Sequence, residues 1–201
     1  MSQVITIIDA QDAFCHPSGT LARAFGKEEI SVVRRVLPDI EEFLAQSWPG
    51  PIVLVRSEYA RGQFSVGQQT SPLSQLCAPG NEVDANWSLS TDVVERSHVV
   101  TKTEQSAWVS AEFTTLLQEL VRLGMDRLLL GGFLTTSCVR KTALEARLRL
   151  PSSVAVAVVK ELTASRASNY LPRGGEKSRH DLIVEEFILA GIPLVSAKDC
   201  L

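Results

Sequence analysis

The feature that most constrains this chain is a series of short, unbroken apolar runs separated by longer stretches of helical period. The run Val4-Ile5-Thr6-Ile7-Ile8 is apolar at odd and even positions alike, so a strand built from it must be covered on both faces. Comparable runs fall at Val4–Ile8, Ile52–Val55, His98–Thr101, Arg127–Leu130, Val154–Val159 and Pro193–Val195. Between them, Ile30, Val33, Leu37, Ile40 and Leu44 form one stripe at helical spacing, and Phe113, Leu116, Leu117, Leu120 and Leu123 form another. Val139, Ala143, Ala146 and Leu150 give a third, and Ile183, Phe187 and Ala190 a fourth within a helix expected over Glu176–Ala190. This alternation predicts an α/β fold, a three-layer α/β/α sandwich around a six-stranded parallel sheet, with residues 1–201 as a single domain.

Composition narrows the function. A net charge of -3 leaves no surplus of Lys or Arg to follow a phosphate backbone, so no nucleic acid partner is expected. The pair Arg34, Arg35 sits in a helical pattern and reads as a solvated face. No apolar run reaches the roughly 18 residues needed to span a bilayer, and Met-Ser-Gln leads straight into a strand, so a cytoplasmic protein with no membrane association is expected. Cys15, Cys77, Cys138 and Cys200 are widely scattered and show no pairing typical of zinc sites or disulfide scaffolds; each reads as a free thiol. The stretch from Ser57 to Glu95, rich in Gly, Pro, Ser, Gln and Asn, reads as a long binding loop or lid.

In open parallel sheets ligands sit beyond the C-terminal ends of the strands, which directs attention to three segments. Asp9 ends the first strand and suits either a general base or a cap on the following turn, with Asp12 competing for the same role. Lys102 ends the third strand and is either a solvated cation or, beside a thiol, a group that favours the thiolate. The fourth strand runs into Gly131-Gly132-Phe133-Leu134-Thr135-Thr136-Ser137-Cys138, where the glycines permit a tight turn and Thr135, Thr136 and Ser137 suit a helix start. Cys138 in that first turn is either a buried small hydrophobe or a nucleophile whose pKa the helix N-terminus lowers.

The three segments together resemble the isochorismatase-like, or cysteine hydrolase, superfamily. Asp9, Gln11 and Phe14 match its Asp-x-Gln-x-x-Phe strand end; Lys102, Ser106 and Ala107 match its lysine segment. Gly132, Thr135, Cys138, Val139, Thr142 and Ala143 match its Gly-x-x-Thr-x-x-Cys-Val-x-x-Thr-Ala segment. The resemblance implies a Rossmann-like, isochorismatase-like topology and a catalytic set of Asp9, Lys102 and Cys138. It also implies a cis peptide between Phe133 and Leu134, with the N–H groups of Leu134 and Cys138 as the oxyanion hole. Such a site hydrolyses a C–N bond, amide or ureido, of a small-molecule substrate through a thioester on Cys138. A non-amide substrate, or a silent homologue using Cys138 for binding or redox sensing, are the alternatives. Relatives assemble as oligomers, so a homodimer or homotetramer is expected.

Nicotinamidases of this family carry a metal on an Asp-x-His pair after the second strand and a further loop histidine. The corresponding stretch here is Arg56-Ser57-Glu58-Tyr59-Ala60, with no histidine before His98, so no metal and no other cofactor is expected. Phe14, Tyr59 and Trp108, with Trp87 near the same mouth, are each expected either to touch substrate or to serve as plain packing. His16 reads as an exposed loop residue, His180 as a solvated helix residue and Cys15 as a half-buried thiol; Cys77 and Cys200 have no assigned role.

Overall fold

The computed structural model describes residues 2–64, 71–172 and 174–201 of the chain. Six parallel strands form one sheet: β1 (Ser2–Ile8), β2 (Ile52–Ser57), β3 (His98–Lys102), β4 (Met125–Phe133), β5 (Ala155–Ala164) and β6 (Leu194–Val195), in the order β3-β2-β1-β4-β5-β6. The four longest helices are α1 (Ser31–Glu42), α2 (Ala111–Arg122), α3 (Arg140–Arg149) and α4 (Arg179–Leu189). Every strand pairing is parallel, as expected from the continuous apolar runs.

Side chains alternate across the pleat and fill two cores. Ile5, Ile7, Leu54, Leu129 and Val159 face Ile30, Val33, Ile40 and Leu44 of the α1 region on one side. Val4, Ile8, Val53, Val55, Leu128, Leu130 and Val158 face Phe113 and Leu117 of α2, Ala143 and Ala146 of α3 and Phe187 of α4 on the other. The expected three-layer sandwich is therefore observed. Among the described residues no helix is long and apolar enough to cross a membrane.

Several elements depart from their expected limits. The glycine pair lies inside β4 and makes no tight turn. A Cβ on Gly132, at φ +93°, would stand 2.0 Å from the Ile8 carbonyl oxygen, and one on Gly131 would stand 2.8 Å from both the Ile7 side chain and the Leu162 carbonyl oxygen. The glycines thus let β4 press against the end of β1 and pass a register shift against β5. The fourth helix is shorter than expected, because Ser178 caps it and forms a reciprocal capping box with Asp181. Leu123, read as part of the second stripe, falls at the C-cap of α2 and is exposed, since the stripe's face ends with the helix.

The stretch from Ser57 to Glu95 is less irregular than its composition suggests. It holds a 3₁₀ turn at Pro72–Gln75 and short helices at Glu82–Ala85 and Thr91–Glu95, while residues 65–70 lie outside the described set. Buried Asp84 organises it, accepting the backbone N–H groups of Thr20 at 3.0 Å and Cys77 at 2.9 Å.

Candidate active site

The C-terminal ends of β3, β2, β1 and β4 bring Lys102, Ser57, Asp9 and Cys138 to one point. Asp9 follows β1 in the left-handed region, φ +57°, a conformation that a non-glycine residue adopts only when its surroundings enforce it. Its backbone N–H is held by the Val55 carbonyl at 2.8 Å. Lys102 lies opposite Ser57 in the β2–β3 register. Both Asp9 and Lys102 are fully buried, and Lys102 Nζ donates to Asp9 Oδ2 at 3.0 Å.

Lys102 Nζ also reaches Ser57 Oγ at 2.5 Å, the Tyr59 hydroxyl at 2.9 Å and the Glu104 carbonyl at 3.2 Å. Ser57 Oγ in turn donates to Asp9 Oδ1 at 2.8 Å. Burial opposes the ammonium, yet Asp9 and the neighbouring Cys138 sulfur hold the Lys102 pKa above its ordinary value. A buried charge pair of this kind needs all its polar atoms satisfied, and here three N–H groups meet four acceptors.

Cys138 lies in a single π-helical turn, Thr135–Val139, that runs directly into α3, so it stands near a helix start as expected. The expected drop in its pKa is not found. Burial pushes the thiol up to about 11, with Lys102 pulling it down and Asp9 pushing it further up. Desolvation outweighs the helix end because only 4% of the residue is exposed. The Phe133–Leu134 peptide is cis, as the resemblance implies.

The motif residues around these groups are positioning devices. Thr142 accepts the Ala107 N–H at 3.0 Å on its hydroxyl and the Trp108 Nε1–H at 3.0 Å on its carbonyl, tying the segment after Lys102 to the helix that carries Cys138. Gln11 donates to the Ser57 and Asp84 carbonyls and accepts the Ser57 N–H at 2.6 Å, so it locks the end of β2 beside Asp9. Thr135 shares a hydrogen bond with Thr163 at 2.9 Å, and Thr136 is held by Ser165 and Asn169.

A cleft of about 240 Å³ opens over Cys138. Phe14 and Tyr59 line it, together with Phe64, Leu134, Asn169, Arg166 and Arg179. Trp108 does not. Its indole packs edge-on against Phe113 in the core under α2 and α3, because the bond to Thr142 turns it away from the cleft. Trp87 packs on the α1-side core. Asp12 accepts the Ser88 hydroxyl at 2.5 Å, and so serves the loop instead of the site.

The remaining candidates divide. His16 is exposed, and its ring Nδ1 accepts the Ser18 N–H at 3.1 Å. His180 is not fully solvated: it stacks on Tyr170 at 4.4 Å, and burial lowers its pKa. Cys15, Cys77 and Cys200 are buried free thiols, with Cys15 more enclosed than expected. Ser57, Asp84, Ser165 and Asn169 carry no signal of their own in the sequence, since a single Ser, Asp or Asn at a strand end or in a loop has no periodicity.

The family model described as the Isochorismatase domain matches residues 3–175. The chain belongs to the isochorismatase family. This isochorismatase-family hydrolase finds no match among curated proteins. It is similar in fold to a pyrazinamidase of Pyrococcus horikoshii in complex with zinc, at TM-score 0.72 and 19% identity, over 98% of this chain and 99% of that one. It is likewise similar to PnC1 from L. infantum in complex with nicotinate, at TM-score 0.72 and 21% identity over 98% and 93% of the two chains. The nicotinamidase of Bacillus subtilis follows at TM-score 0.68 and 17% identity, over 98% and 100%.

The donor set at the end of β2 in this isochorismatase-family chain does not fit a zinc ion. The Ser57 and Tyr59 hydroxyls are both engaged by the Lys102 ammonium, a cation that would repel another, and Glu58 is exposed. Among the described residues no three His, Cys, Asp or Glu side chains are grouped to hold a metal.

Proposed function

We propose that this isochorismatase-family hydrolase is a metal-independent cysteine amidohydrolase that cleaves an amide or ureido C–N bond of a small molecule through a thioester on Cys138. The single observation that carries this reading is that the Cys138 thiol, which lines the cleft, stands beside the fully buried ion pair of the Asp9 carboxylate and the Lys102 ammonium. The similarity in fold to amide-hydrolysing relatives supports it.

A thiol pushed up to about 11 is protonated at neutral pH, so it needs a base before it can attack. Asp9 takes the Sγ proton, the Sγ–carbonyl bond forms, and the oxyanion is received by the N–H groups of Leu134 and Cys138. Asp9 then returns the proton to the departing nitrogen as the C–N bond breaks, and water hydrolyses the thioester with Asp9 again as base. Lys102 holds the Asp9 carboxylate in place and offsets the negative charge that moves between carboxylate, sulfur and substrate. The cleft's apolar wall of Phe14, Tyr59 and Phe64 suits the flat body of a small carboxamide.

Ammonia release from a panel of primary amides, N-carbamoyl compounds and biuret-like ureides tests this reading. Release is expected to persist with a metal chelator and to vanish in Cys138→Ala. Release lost to the chelator, or retained in Cys138→Ala, refutes it.

A further inference from the structure

Lys102 Nζ carries only donors, so in its 2.9 Å bond to the Tyr59 hydroxyl the phenol oxygen is the acceptor. The phenol's own proton is then left to donate elsewhere, and the Cys138 Sγ lies 3.6 Å away. The ring that aims this hydroxyl is fixed. It is 2% exposed, packs edge-on against Phe64 at 4.6 Å, and its backbone N–H is held by the Cys77 carbonyl at 3.0 Å.

We propose that Tyr59 is a catalytic residue of this hydrolase, whose O–H, oriented by Lys102, donates a hydrogen bond to the Cys138 sulfur and stabilises the thiolate that attacks substrate. The proposal rests on the cysteine-nucleophile reading above and adds a sulfur contact, through the hydroxyl, to the place of the Tyr59 ring in the cleft wall. The occupation of Tyr59 by Lys102 and Cys138 also gives the end of β2 a use that a metal-ligand pair would preclude.

The chemistry balances without a further reactant. Asp9 takes the S–H proton while Tyr59 keeps its own; the phenol–sulfur bond strengthens as sulfur gains charge and weakens when the S–C bond of the thioester forms. A hydrogen bond to an ionised acceptor is about twice as strong as a neutral one, so the interaction favours the thiolate over the thiol and the transition state over the ground state. Tyr59 is suited to remain protonated: burial, then the nearby Cys138 and Asp9, raise its pKa well above its ordinary value. Its bond to the sulfur in turn lowers the thiol's pKa, against the stronger effect of burial.

Tyr59→Phe keeps the ring and its contact with Phe64 and removes only the hydroxyl. Iodoacetamide alkylation of Cys138, followed on its peptide by mass spectrometry, is expected to shift its pH profile up by about one pH unit, about tenfold slower at fixed pH. For any substrate turned over, kcat falls and KM changes little. A second measurement uses the fact that the chain has two tyrosines: in Tyr170→Phe, biosynthetic 3-fluorotyrosine labels Tyr59 alone. Its fluorine resonance is expected to titrate with Cys138 and to lose that titration in Cys138→Ala. An unchanged alkylation profile in a Tyr59→Phe protein that melts normally, or a fluorine resonance indifferent to Cys138, overturns the proposal. Neither readout needs turnover. A thiol that depends on Tyr59 in a protein that hydrolyses nothing counts against the amidohydrolase reading alone, and hydrolysis by a thiol indifferent to Tyr59 counts against this proposal alone.

Discussion

Ser57 faces Lys102 across the β2–β3 pairing, and its hydroxyl joins the ammonium to Asp9 by accepting from Nζ and donating to Oδ1 at 2.8 Å. Ser57 is therefore the part that makes the carboxylate and the ammonium one unit. Ser57→Ala leaves one buried carboxylate oxygen without its donor, which costs about 1–3 kcal/mol. A lower melting temperature and a reduced kcat are expected, measured by calorimetry and by ammonia release; unchanged values for both would show that Ser57 is a bystander.

Lys102→Met removes the strongest influence that lowers the Cys138 pKa and leaves Asp9 buried without a counter-charge. Because the thiol already stands at about 11, losing the ammonium moves it higher, and thiolate becomes scarcer at any pH below that point. Alkylation of Cys138 at pH 9 is expected to slow by about tenfold or more. Breaking a buried pair from one side costs on the order of 3–5 kcal/mol, so the melting temperature falls as well.

Asp9→Asn separates nucleophile from base. The Asp9 charge opposes the thiolate, so its removal moves the alkylation profile of Cys138 to lower pH. Turnover moves the other way, with kcat expected to drop by about 10²–10⁴-fold once the proton carrier is gone. Parallel changes in alkylation and turnover would contradict the division of labour between the two residues.

Gly132→Ala tests the contact that sets β4 against β1. The added Cβ would lie 2.0 Å from one backbone atom of Ile8 and 2.4 Å from another, at a φ of +93° that L side chains rarely adopt. Destabilisation beyond about 4 kcal/mol, or loss of soluble protein, is expected. A melting temperature near that of the parent would refute the close approach.

How much of this was legible in the sequence follows from the kind of signal each part leaves. The strand positions and the two-sided core came from unbroken apolar runs such as Val4–Ile8, whose burial on both faces is observed. Asp9, Lys102 and Cys138 stood out because strand ends are where a parallel sheet exposes its chemistry, and the structure brings them together. The direction of the Cys138 pKa shift is not legible in the sequence, since a helix start is visible there and the depth of burial is not. The place of Trp108 is hidden for a related reason: an aromatic in the segment after Lys102 suits a cleft wall, and only the distant Thr142, whose carbonyl accepts its indole N–H, turns it into the core. Asp84 and the partners of Thr136 left no local trace, because their contacts are long-range.

The most direct measurement is rapid acid quench of the enzyme during turnover of a substrate found in the amide and ureide panel, followed by mass spectrometry of the Cys138 peptide. A mass increase equal to the acyl group on Cys138, formed before ammonia accumulates beyond one equivalent and absent in Cys138→Ala, is the predicted result. Turnover with no adduct on Cys138, continuing in Cys138→Ala, would contradict the thiol nucleophile and with it the proposed reaction.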